Sequence, residues 1–198
     1  MTMKADNSLT TDPGEAPIDG TGGRPTARQM LAAQMFAIAG HDAVLQNLNT
    51  RSEKHGEDDV PAADVKLVLI APHSILSPFG ESVIDFLFRE PGVGEDAQAS
   101  LELGGDRRTK IRHPKIKPLQ LSDEFPGYVV TLSAGLDSST PQVFKEAKVR
   151  GFQFRPLDGG AVEVTLTASV YPDEHQAGVL FGWQRKTLQV TLEPPRAA

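Results

Sequence analysis

Between Ala161 and Val170 the chain alternates without a fault: Val162, Val164, Leu166, Ala168 and Val170 share one parity, and Glu163, Thr165, Thr167 and Ser169 share the other. A period of two is the pattern of a β-strand with one face on a core and one on solvent. Wound as a helix, the same residues would scatter their apolar groups around the whole circumference. Just upstream, Leu157-Asp158-Gly159-Gly160 supplies the positive-φ residues that a tight reversal needs. In the preceding run, Val143 to Phe154, the apolar parity shifts from Ala147 and Val149 to Phe152 and Phe154. Gly151 sits at the shift, where a bulge would realign the pleat. A hairpin with a bulged first strand is the expected unit.

Other segments extend the sheet. Asp64 to Ala71 is apolar on both parities after Lys66 and predicts an interior strand covered on both faces, ended by Pro72. Ser74 to Phe88 predicts a helix interrupted at Pro78 and Gly80. Ile111, Ile116, Leu119 and Leu121 thread between Pro114 and Pro118, which fits an edge strand, and Tyr128, Val130 and Leu132 alternate in another. Pro172-Asp173-Glu174 opens a short helix with Ala177, Leu180 and Phe181 on one face and Arg185 and Lys186 at its end. Leu188, Val190 and Leu192 form the closing strand before Pro194-Pro195. The expected fold class is mainly β, an antiparallel barrel or sandwich of about six strands with two or three short helices.

The N-terminal part reads differently. Residues 1–26 hold Pro13, Gly14, Pro17, Gly20, Gly22, Gly23 and Pro25 with only Ile18 to bury, which predicts a disordered leader. Met30, Leu31, Gln34, Met35 and Ile38 fall at helical spacing, so Ala27 to Ala39 is expected as a short amphipathic helix ended by Gly40. The run Met30 to Ala39 is too short, and too plainly broken by Gln34, to read as a signal peptide, and no segment is long enough to span a bilayer. Asn49 to Ala63 reads as a polar connector, so 27–63 is helix plus connector and the β-rich globular domain is expected over 64–195.

Composition narrows the chemistry. The chain has 198 residues, a formal charge of −6 and no cysteine, which excludes disulfides, thiolate nucleophiles and Cys-ligated metal and disfavours bulk adhesion to polyanions. Its histidines, His41, His55, His73, His113 and His175, show no metal-ligand spacing, and His55-Gly56-Glu57-Asp58-Asp59 lacks the alternating ligands of a calcium loop. Gly20-Thr21-Gly22-Gly23 follows no strand, and Gly92-Val93-Gly94 precedes an acid, the wrong sign for an anion cradle. No catalytic residue, metal or cofactor is assigned, and the chain is read as a non-enzyme.

One stretch departs from the acidic average. Arg107, Arg108, Lys110, Arg112, Lys115 and Lys117 surround His113 with no acid until Asp123. If extended, this stripe would present cations on both parities to a phosphate backbone; equally, its lysines would blunt an exposed sheet edge. Rings that could join it for stacking on bases are Phe152 and Phe154, beside Arg150 and Arg155, and Tyr171 on the polar parity of its strand. Phe152 and Phe154, an aromatic pair at alternating strand positions, read more simply as core.

Asn49-Thr50-Arg51-Ser52-Glu53-Lys54-His55-Gly56-Glu57, Pro61-Ala62-Ala63-Asp64-Val65-Lys66, Phe125-Pro126-Gly127-Tyr128, Val149-Arg150-Gly151-Phe152 and Leu192-Glu193-Pro194-Pro195 together resemble an uncharacterised family of small temperate-bacteriophage and prophage proteins. The resemblance covers about Asn49 to Pro195 and implies an accessory protein, often encoded near replication and recombination genes, in the cytoplasm of a host cell. It transfers no site residue. The expected function is a non-enzymatic accessory role in DNA metabolism with weak single-stranded DNA binding. Phage or host replication and recombination proteins are further expected partners, with a homo-oligomer possible and no membrane. The rival readings are a protein-binding regulator of a phage or host complex and a virion component.

Overall fold

The computed structural model describes residues 35–55, 58–95, 106–135 and 140–195. Its long strands are β1 (Ile38–His55), β2 (Asp58–Pro72), β6 (Glu124–Ser133), β7 (Gln142–Leu157), β8 (Ala161–Val170) and β9 (Thr187–Glu193). They pair in the order β1, β2, β8, β7, β6, β9 and back to β1, always antiparallel. The β7–β8 ladder completes the circuit, so the sheet is a closed barrel with no free edge among these six strands.

Closure sorts every strand into an inner and an outer parity. Val162, Val164, Leu166, Ala168 and Val170 of β8 are all fully buried, and so are Val65 and Leu67 of β2 and Tyr128, Val130 and Leu132 of β6. Leu188, Val190 and Leu192 of β9 complete the same core. A six-stranded circuit is narrow and its strands must bend sharply, which bulges permit. Gly40, Gly127, Glu146 and Gly151 all have positive φ, and each lies in a break of register. At Gly151 (φ 68°) the pairing steps from Arg150↔Thr167 to Gln153↔Thr165, the bulge expected from the parity shift. The hairpin turn after it pairs Leu157 with Ala161 across Gly159 and Gly160, both at positive φ.

The excursion between β2 and β6 covers the end of the barrel where β1, β6 and β8 begin. A 3-10 helix (His73–Phe79) is separated by Gly80 (φ 99°) from α1 (Glu81–Leu87); the expected break is found at Gly80, whereas Pro78 lies inside the 3-10 helix and does not end it. Two-residue strands follow: β3 (Phe88–Arg89) pairs with β4 (Lys110–Ile111), and β5 (Leu119–Gln120) pairs with β7. Phe79 packs on Phe36, Phe152 and Phe154 with ring centroids 5.5, 5.1 and 5.0 Å apart, closing that end with aromatic contacts. At the opposite end α2 (Glu174–Gly182) starts with a capping box between Asp173 and Gln176.

Several expectations are corrected. Residues 1–34, including the leader and most of the anticipated first helix, lie outside the described residues. Met35 to Ala37 are not helical, and Ile38 and Ala39 begin β1, because Phe36 and Ile38 are buried and Ile38 pairs with Leu192 of β9. Asn49 to Ala63 is no connector: it is the far half of the β1–β2 hairpin, in register from Asn49↔Asp64 to His55↔Asp58. The barrel therefore starts at Ile38, not Asp64. Strand β2 is covered on one face only, for Ile70 is 60% exposed on the outer wall, where no second layer packs among the described residues.

The two kinds of glycine predict opposite outcomes. Gly151→Val forces a β-branched residue into the left-handed region and is expected to cost about 1–2 kcal/mol. Gly178 in α2 is exposed, with nothing within 4 Å of an added Cβ, so Gly178→Ala is expected to stabilise by about 0.5–1 kcal/mol. Urea midpoints of the two variants against the parent check both signs.

Candidate nucleic-acid interface

The cationic stretch is rooted by its first residues. Arg108 donates to Asp106 through Nε (3.0 Å) and Nη2 (2.5 Å), and its Nη1 reaches Glu81 (3.0 Å) and Asp85 (2.9 Å) on α1. Asp106 also faces His73, with Nε2 to Oδ2 at 3.0 Å, and the His73 ring is buried. Next in the chain, buried Thr109 accepts through its carbonyl from Gly159 N–H at 3.1 Å, in the β7–β8 turn. Hydrogen bonds from Arg108 hold the Asp106 carboxyl well below the usual carboxylate range despite partial burial, and the neighbouring His73 adds to this. The same bonds push the Arg108 guanidinium up. This clamp fixes the start of the loop to both the barrel and α1.

Beyond the clamp the loop turns outward. After the β3–β4 pairs Phe88↔Ile111 and Arg89↔Lys110, Arg112 donates its backbone N–H to Leu87 O (2.9 Å) and its Nε to Phe88 O (3.2 Å). A turn closed by Ile116 N–H to His113 O (3.3 Å) then leads to β5 on the barrel wall. The His113 ring lies 5.2 Å from that of Phe86, which is 44% exposed on the outer side of α1. Lys110 is half-buried beside Glu95, whose carboxyl is held at about 2 by hydrogen bonds from Arg89 and Gly92, with the charges of Arg89 and Lys110 adding to them. Arg107, Arg112, Lys115 and Lys117 are exposed and have no carboxylate within ion-pair distance among the described residues.

The residues read from sequence thus divide. Arg107, Lys110, Arg112, Lys115 and Lys117 gather on one loop, but it is a turn and not an extended edge, so the two-parity arrangement does not form. Arg108 is neutralised by three carboxylates. Arg150 is bound to Asp64 (3.0 Å) and donates to Ser169 Oγ (3.3 Å), and Arg155 pairs with Glu163 (2.6 Å). Burial raises the Asp64 pKa, but Ser169, Arg51 and Arg150 together leave it lowered. Phe152 and Phe154 are fully buried, because the Gly151 bulge turns both inward; no base can stack on them while the barrel is closed. Tyr171 is 37% exposed, and its hydroxyl donates to Glu53 at 3.0 Å. Phe86 is the ring that sequence reasoning missed. Its signal was its position: Val83, Ile84, Leu87 and Phe88 take the inner side of that segment and leave Phe86 facing away.

Among the described residues, no group of three His, Cys, Asp or Glu is placed to hold a metal ion. No helix there is long and apolar enough to cross a membrane, which says nothing of strands. Comparisons with protein-family models, curated proteins and solved structures give no match.

Phe152→Ala is expected to cost about 3–5 kcal/mol of stability, read from urea denaturation, as for any large buried ring. For Asp106 the sign follows from its lowered folded pKa: it contributes stability above the ordinary carboxylate range, lost as pH falls below about 5. Asp106→Asn is expected to be less stable at neutral pH and to lose less on acidification, measured as the urea midpoint between pH 7 and pH 3.

Proposed function

We propose that the protein is a non-enzymatic accessory protein of bacteriophage DNA metabolism that binds single-stranded DNA weakly through the 107–117 loop. The observation that carries the DNA part is the set of four exposed, unneutralised cations, Arg107, Arg112, Lys115 and Lys117, on the same loop as exposed His113, whose ring is tilted against that of exposed Phe86. Cations track the phosphates, and a ring offers its face to any base, so such a site binds without a sequence code. Duplex readout needs an element shaped for a groove, and a short turn on a barrel end presents none. The phage setting rests on the resemblance of Asn49 to Pro195 alone. Weak binding follows from charge, since the body carries a net −6 and three carboxylates crowd Arg108 beside the loop.

Fluorescence anisotropy with a labelled oligothymidine at low and moderate salt tests the reading. Affinity is expected to fall steeply with salt, and the double change Lys115→Glu, Lys117→Glu should weaken binding and flatten the slope of log K against log salt by roughly 0.7 per lost phosphate contact. Phe86→Ala should weaken binding by roughly 5- to 150-fold with the slope unchanged, the equivalent of about 1–3 kcal/mol for one stacked base. No binding at low salt would end the proposal.

A further inference from the structure

All six long strands have a neighbour on each side, but β1 outruns one of its own. Its ladder with β9 stops at Val44. Leu45 then donates to Lys186 O (3.0 Å) and accepts from Arg185 N–H (2.7 Å), and the Leu48 carbonyl accepts from Gln184 Nε2 at 3.5 Å. From Asn49 to His55 no strand lies on that side of β1 among the described residues, while β2 goes on pairing with it on the other. The β2–β8 ladder likewise begins only at Ala63. A two-stranded arm therefore extends past the barrel with an unmatched edge on each flank.

The two edges differ. Successive residues of a strand point their backbone N–H and C=O to alternate sides. Leu48 directs its carbonyl toward Gln184 and away from β2, so Thr50, Ser52 and Lys54 present their groups on the same open side. Pro61 gives the same phase: it lies opposite Ser52 and has no N–H for β1, as suits a pair whose backbone groups face away from each other. Its missing donor blunts the β2 edge. On the β1 edge every residue from Asn49 to Lys54 keeps its N–H, and Thr50, Ser52 and Lys54 are exposed.

Side-chain charge chooses the occupant. A second copy of this edge meets it antiparallel about a two-fold axis, so the residue on the axis faces itself and its two neighbours face one another. With Ser52 on the axis, Arg51 of each copy faces Glu53 of the other, and Thr50 faces Lys54. With Arg51 or Glu53 on the axis, like charges would stand opposed, which is destabilising. The Ser52 register also uses the outward backbone groups: Ser52 exchanges hydrogen bonds with its copy, and Thr50 with Lys54 on either side. Arg51 and Glu53 are held ready on one face, for Arg51 Nε donates to Glu53 at 2.8 Å, Arg51 Nη1 reaches Asp64 at 2.5 Å and Tyr171 donates to Glu53 at 3.0 Å.

We propose that two copies of this chain join through the β1 edge from Asn49 to Lys54, antiparallel about a two-fold axis at Ser52, with Arg51 of each copy paired to Glu53 of the other. The proposal is independent of the DNA reading, since it uses none of the loop cations. A contact this short belongs with the small, weak interfaces, below about 1,200 Å².

Light scattering from the full-length protein is expected to show the mass rising from one chain toward two as concentration increases to about 500 µM. A mass that stays at one chain, or climbs past two, would overturn the proposal. Arg51→Glu alone and Glu53→Arg alone each oppose like charges and are expected to weaken the dimer roughly tenfold or more. An equimolar mixture of these two variants restores opposite charges at both contacts and should recover the parent's association, which damage confined to one chain would not. With both variants folded by circular dichroism, a mixture no tighter than either alone would overturn it. A further measurement leaves the charges untouched. In this cysteine-free chain, a short thiol-to-thiol cross-linker is expected to join two copies of Ser52→Cys but not of Gly178→Cys, which is exposed on α2. No link at Ser52→Cys, or equal linking at both positions, would refute the edge contact.

Discussion

Closure of the sheet at β7 is the constraint on which the other features rest. Over its first half β7 pairs with β6, and from Lys148 onward it pairs with β8 on the other side. A flat strand does not serve a circuit of six, because its side chains would turn out of the narrow interior. Two extra residues, at Glu146 and Gly151, let the inner parity pass from Phe144 to Ala147 and Val149 and then to Phe152 and Phe154. Without the second step both phenylalanines would face solvent, the aromatic group under Phe79 would be lost, and β7 and β8 would present unpaired edges.

The same closure positions the loop. Because β7 and β8 turn at the end where β2 finishes, the turn glycines receive the excursion directly: His73 N–H donates to Gly160 O at 2.9 Å, and Gly159 N–H donates to Thr109 O at 3.1 Å. These backbone bonds bracket the His73–Asp106–Arg108 clamp. The clamp fixes α1 against the loop, and α1 in turn presents Phe86 to His113. The order of dependence runs from bulge to turn, from turn to clamp, and from clamp to the exposed ring pair.

Local patterns carried much of this in the sequence. The uniform parity of β8, the parity shift at Gly151, the glycine turn and the Asp173 cap each involve residues close in the chain, and each is found where local chemistry puts it. What was illegible depends on distant partners. The far half of the β1–β2 hairpin carries Arg51 and Glu53 on its outer face and, among the described residues, only Ala62 and Ala63 as buried ones, so it looks like linker until Asp64 is set beside Arg51 and Arg150. Ile70 suggested a two-sided strand because sequence cannot say that the outer wall of a barrel goes uncovered. At the site, the run of cations was plain, but which of them are spent was not: Arg108 is neutralised from positions 23 and 27 residues away, and Arg150 from 86.

That distribution of spent and unspent charge also gives the proposed interface a direction. The clamp sets one guanidinium against Asp106, Glu81 and Asp85, so the α1 side of the loop remains anionic even with every bond made. Lys115 lies in the turn and Lys117 just past it, on the approach to β5, with no acid between them and Leu119 in sequence. At about 0.1 M salt charges farther apart than roughly 10 Å scarcely feel one another. A strand bound as proposed would respond to the nearer group, repelled at the root of the loop and attracted at its turn. Phe86 stands on α1 and His113 opens the turn that carries Lys115, so a base held on this ring pair would leave its phosphates free to extend along the turn and away from Glu81. Binding confined to so few contacts is weak and depends on an unpaired, flexible backbone, which is why the reading favours single-stranded over duplex DNA.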